Sequence, residues 1–169
     1  MITNLLIAST VILFAYIAIS CVKFGVPKSV SDTFYLWFEK DKKFEPLFFL
    51  VMAATVFCLF PIFIEVTPDH LQFLAFLCPA ALAFVGAAPR FKSHEALIHF
   101  IAAGLCALLA IVWMICVIPD GWAVVFAFGV LFSVFGIASR GKYVFWIELA
   151  AFVMTYAGIW YKAITLGYF

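Results

Sequence analysis

"ICVIPDGWAV", Ile115 to Val124, divides one very long apolar run in two. Pro119 has no backbone N–H and disfavours a helical residue before it, and Asp120-Gly121 supplies turn chemistry. Read as a break, the stretch separates an apolar segment over 96–117 from another over 122–138. "SRGK", Ser139 to Lys142, then separates the second of these from 143–164. Toward the N-terminus, similar runs cover 4–22, 46–64 and 71–88. A bilayer core about 30 Å thick takes roughly 20 apolar residues per helix. The expected fold is an all-α integral membrane bundle of six transmembrane helices, one domain over residues 1–169. A short amphipathic interfacial helix is expected in the first connection.

Composition points the same way. Of 169 residues, 68% are hydrophobic and 11% charged, with a mean hydropathy of +1.21. A soluble domain is about 45–50% apolar and about 25% charged. A chain of this size has no core large enough to hide such a surface from water, so lipid is its expected solvent. Phe, present 22 times, has no polar tip to satisfy and suits either face of such helices. A net charge of +1 gives no reason to expect a nucleic-acid partner. The five cysteines (Cys21, Cys58, Cys78, Cys106 and Cys116) lie in apolar runs without a C-x-x-C pair and read as small packing residues.

Loop charge gives an orientation. Lys23, Lys28, Lys40, Lys42, Lys43, Arg90, Lys92, Arg140 and Lys142 fall in the first, third and fifth connections, and only Lys162 lies on the other side. By the positive-inside rule those connections are cytoplasmic and both termini outside, in a cell (inner or plasma) membrane. A five-span count would put a basic loop outside, so the asymmetry also supports six. Trp122 and Trp160 toward the outer ends, and Tyr143 and Trp146 at the inner end of the last span, fit interfacial belts. The N-terminal run has no Lys or Arg before Lys23, so it reads as a spanning helix and not a signal peptide.

The first connection is the long one, "KFGVPKSVSDTFYLWFEKDKKFE". Ser29 with Asp32 forms a capping-box-like start. Val30, Phe34, Trp37 and Phe38 then recur at helical spacing, the pattern of a helix lying at the inner interface as an anchor or a lid. Pro61 and Pro79 fall inside spans two and three. Ala83 with Ala87, and Ala102 to Gly104, are small residues suited to close helix contact, or to a homo-oligomer.

Ionisable groups within spans are few and are site hypotheses by default. Glu148 lies about 7 Å into the last span at 1.5 Å per residue, and His99 is at similar depth in the fourth. Glu95 is one helical turn before His99, on the same face, and His94 sits just outside. Ser29, Ser31, Asp32 and Tyr35 belong to the same level. Such a group could stabilise the bundle or bind a small ligand, ion or lipid headgroup. It could also hold zinc or relay protons. In its plainest form Glu95 bonds His99, and Glu148 pairs with a loop Lys or Arg. The matched depths predict that His99 and Glu148 face the bundle interior with Asp32 or Tyr35 close above. No phosphate-binding glycine loop, serine-hydrolase elbow or H-E-x-x-H is present, and no cofactor is expected.

"GVPKSVSDTFYLW", "LAFVGAAPRFKS" and "IHFIAAG" together resemble a family of small bacterial and phage-encoded polytopic membrane proteins, over about Gly25 to Val112. That resemblance implies a membrane bundle and no activity. Ser31, Asp32, His94 and His99 are also similar to the polar set of the alkaline ceramidase and progestin-receptor-like superfamily. There such residues hold zinc and hydrolyse lipid amides. This chain has six expected spans, not seven, and no His-x-x-x-His in the last. The leading expectation is a non-enzymatic membrane protein. The alternatives are a membrane-embedded metal-dependent hydrolase acting on lipid, and an oligomeric channel or assembly protein.

Overall fold

Each apolar run forms a helix with ends close to those expected. A computed structural model describes residues 2–88, 95–139 and 141–169, the side chains of Glu95 and Ala96 excepted. The helices are α1 (Ile2–Phe24), α2 (Thr33–Lys40), α3 (Leu47–Glu65), α4 (Gln72–Ala87), α5 (Glu95–Val117), α6 (Gly121–Ala138) and α7 (Tyr143–Thr165). Six of them, all but α2, are long and apolar enough to cross a bilayer, α4 together with the 3-10 turn Asp69–Leu71 that leads into it. No strand occurs among the described residues. Pro61 and Pro79 are accommodated within α3 and α4 without ending them.

The long helices close a ring. α1 packs on α3, α3 on α4, α4 on α5 and α5 on α7, and α7 returns to α1. α6 lies outside it against α5 and α7, and its buried residues are two glycines, Gly121 and Gly136. The α5–α6 corner is the opening stretch. Asp120 adopts a left-handed conformation at φ 53°, after Pro119, and the Gly121 N–H bonds the Ile118 carbonyl at 3.0 Å. This is the arrangement a type II turn needs. A side chain at Gly121 would overlap the Met114 carbonyl, so this turn brings α6 directly onto the end of α5.

Close approach elsewhere also uses glycine. A Cβ at Gly86 would stand 2.5 Å from the Met52 Cβ, which fixes α4 on α3. Gly104 and Gly129 have open space around them. Of the small residues in the fourth span, Ala102 is therefore an internal contact and Gly104 faces outward.

Between α1, α3 and α7 sits a polar junction. The Ser9 Oγ donates to the Thr55 carbonyl at 3.1 Å and lies 2.5 Å from the Tyr156 Oη, which can donate to it in turn. At one end of the bundle the C-terminal residues fold back over α1 and α3. The Thr3 Oγ1 donates to the Tyr168 carbonyl at 2.7 Å, and the Tyr168 Oη donates to the Glu65 Oε1 at 2.6 Å. The Glu65 carboxylate, accepting that O–H, holds the phenol above its ordinary pKa.

Candidate functional site

The site begins where α1 stops. Gly25 takes φ 76°, the left-handed conformation common just past a helix end, and Pro27 prevents the helix from resuming. The next residues form a self-bonded turn. The Asp32 N–H donates to the Ser29 Oγ at 3.0 Å, and the Lys28 N–H donates to the Asp32 Oδ2 at 3.3 Å. The first bond is the one a capping box of Ser29 and Asp32 needs; the return bond goes to the Lys28 N–H and not to that of Ser29. The two bonds organise the turn preceding α2 and not the helix itself, which begins at Thr33 without a side-chain cap.

That turn is fastened to α7. The first N–H groups of a helix have no partner within it, and the Lys28 carbonyl accepts the Phe145 N–H at 3.0 Å. One turn further along α7, the Glu148 Oε2 accepts the Val30 N–H at 2.5 Å. Glu148 was expected to pair with a loop Lys or Arg. Among the described residues its partner is a backbone amide, and the one ion pair is Lys43–Asp41 at 2.9 Å, on the surface; Arg90, Lys92 and Arg140 lie outside the described residues. In that ion pair the Lys43 ammonium and backbone N–H hold the Asp41 carboxyl below its ordinary range.

On its other side the connection is fastened to α1. The Thr33 Oγ1 donates to the Val30 carbonyl at 2.5 Å and takes the Tyr16 Oη at 2.7 Å. The Trp37 Nε1 donates to the Ser20 Oγ at 2.9 Å. The Trp37 indole sits edge-on to Phe24 and Phe44, with the Lys23 Nζ 4.1 Å above its ring. Val30, Thr33 and Trp37 are buried against protein. Val30 and Ser31 of this connection also line a cavity inside the bundle, and the connection is in that sense its lid.

Beneath the lid lies a cavity of about 80 Å³ bounded by α3, α4, α5 and α7. Met52, Phe63, Leu82, Cys78, Cys106 and Phe152 give it an apolar wall. Cys78 and Cys106 face each other across α4 and α5, each thiol directed at the other's carbonyl at 3.8 and 3.7 Å. The polar lining groups are Ser31, Glu148, Thr155 and Tyr156. The Thr155 Oγ1 donates to the Ala151 carbonyl at 2.7 Å, Tyr156 is held by Ser9, and Ser31 pairs with Ser29 at 3.0 Å. The Glu148 Oε1 takes no hydrogen bond from any described residue.

The structure therefore brings Ser31, Asp32 and Glu148 together; the Asp32 carboxylate lies within electrostatic reach of Glu148. His99 hydrogen-bonds the backbone of Val85 on α4, and its ring lies 6.1 Å from that of Phe100. Tyr35 is exposed, packed edge-on to Phe34. His94 and the Glu95 side chain, which the zinc expectation needs, lie outside the described residues. Among the described residues no three His, Cys, Asp or Glu side chains group as metal ligands would. The Val30 amide, the facing thiols and Tyr156 were not anticipated from sequence. Comparison with protein-family models, with curated proteins and with solved structures finds no match.

Proposed function

We propose that this is a non-enzymatic multi-pass protein of a cell (inner or plasma) membrane. Its lidded cavity binds a small, mainly apolar ligand with one hydrogen-bonding end. The observation that carries the reading is Glu148, which lines a mainly apolar cavity and hydrogen-bonds the lid above it. An intramembrane carboxyl is costly and tends to mark a ligand or ion path. Ligand pockets are typically apolar with a few placed polar groups that set orientation. α2 lies at the cytoplasmic face, where Lys23, Lys40, Lys42 and Lys43 meet the headgroups.

The binding reading is tested with 1-butanol and the full chain in phosphatidylcholine nanodiscs, by saturation-transfer NMR. Wild-type protein should show saturation transfer. Ala107→Phe, which places a ring where a methyl lines the cavity, should abolish it, and the smaller Ala107→Leu should weaken it. Equal signals from all three would show that the alcohol sits in lipid and would overturn the reading.

Orientation is tested by thiol labelling of intact cells, with the five native cysteines replaced by alanine. Ser139→Cys should resist a membrane-impermeant thiol reagent and Asp120→Cys should react. The opposite pattern would place the termini inside.

A further inference from the structure

The charge balance around Glu148 specifies the ligand further. We propose that the cavity takes a short-chain alkylammonium ion, its nitrogen at the Glu148 carboxylate and its alkyl chain among the side chains of α3, α4 and α5. This rests on the ligand-binding reading above and adds the sign of the charge and the size.

The sign follows from the neighbours. Among the described residues no Lys, Arg or His lines the cavity, and none forms an ion pair with Glu148. The charged neighbour of Glu148 among the described residues is a second carboxylate, Asp32. Like charges repel, so among the described residues an anionic ligand meets two carboxylates and no cation. An alkylammonium ion meets an acceptor already in place. The Oε2 is occupied by the lid amide and the Oε1 is free among the described residues. A buried charge is expensive unless it is paired and hydrogen-bonded. A carboxylate and an ammonium ion together form a neutral pair, so each removes much of the other's penalty. The rings of Phe48, Phe63 and Phe152 in the wall add surfaces that attract a cation through their π faces.

The size follows from the volume. An apolar protein cavity of about 150 Å³ accepts benzene. This one, at about 80 Å³, fits a chain of a few carbons and not a ring. The other polar lining groups are engaged with Ser9, Ser29 and Ala151, so the ligand needs a single polar end.

The test uses n-butylammonium chloride, 1-butanol and sodium butyrate, three probes of similar length and different charge. Each is titrated into the full chain in zwitterionic phosphatidylcholine nanodiscs and followed by saturation-transfer NMR. n-Butylammonium should bind at least about tenfold more tightly than 1-butanol, because close charge pairs contribute strongly when desolvated. Butyrate should not bind. Glu148→Gln, which can still accept the Val30 N–H, should lower n-butylammonium affinity by about tenfold or more. Equal affinity of the wild type for n-butylammonium and 1-butanol would overturn the cation inference and leave the cavity reading standing. Binding of neither would overturn both. If the glutamine variant does not fold, the comparison among the three probes on wild-type protein decides the matter alone.

Discussion

Replacing Trp113 with alanine should destabilise the folded bundle by about 3 kcal/mol, the low end for truncating a buried aromatic residue. Trp113 is completely buried. Its ring lies 4.8 Å from that of Phe63 on α3. Its Nε1 donates to the Thr67 Oγ1 at 2.8 Å, and Thr67 donates to the Phe63 carbonyl at 2.5 Å. From α7, Gly158 approaches so closely that a Cβ there would stand 3.1 Å from the indole Cζ3. One side chain thus ties α5 to α3 and α7. The low end of the range is expected because lipid tails are as apolar as the bundle interior. Transfer contributes little there, and lost packing contributes most. Trp113→Phe keeps a ring and loses the hydrogen bond, worth about 0.6 kcal/mol between membrane helices. Reversible unfolding in mixed micelles measures both. An alanine variant within about 0.5 kcal/mol of wild type would show that the indole is not the tie described, since the expected loss is several times the hydrogen-bond term.

What the sequence made legible followed from one-dimensional signals. Helix count and ends depend on run length and on breakers. The expected 122–138 and 143–164 became Gly121–Ala138 and Tyr143–Thr165, because Asp120-Gly121 and the SRGK stretch mark those ends whatever the packing. The lid helix was legible because α2 is amphipathic and carries its own turn residues. Position along a helix axis follows from sequence count as well, at 1.5 Å per residue. Azimuth does not. Helices apolar all round carry no stripe to say which face points inward, so equal depth did not determine what His99 and Glu148 each touch. His99 took the backbone of its neighbour in the chain, α4. Glu148 took a backbone amide, a partner that no pattern of side chains can reveal. The cavity was equally invisible, since it arises where small residues of separate helices, such as Ala107 on α5 and Ala151 on α7, meet.

Glu148→Leu carries the largest expected effect on the lid. The Val30 N–H is the donor at stake, on a residue only 3% exposed. Leucine fills similar space but accepts nothing. A buried donor left without an acceptor costs about 1–3 kcal/mol. The lid can relieve that cost only by lifting its turn into water, against the Phe145 N–H to Lys28 carbonyl bond at 3.0 Å and the Trp37 and Thr33 contacts with α1. Opening of residues 25–32 should therefore become easier by that same amount. At 1.4 kcal/mol per tenfold, backbone amide exchange there should quicken by roughly five- to 150-fold. Glu148→Gln retains a carbonyl oxygen for the amide and should leave exchange near the wild-type rate. Exchange within α3 and α5, away from the lid, is the internal reference. If the leucine variant protects residues 25–32 as well as wild type does, Glu148 does not hold the lid, and its bond to Val30 is incidental to how the cavity is closed.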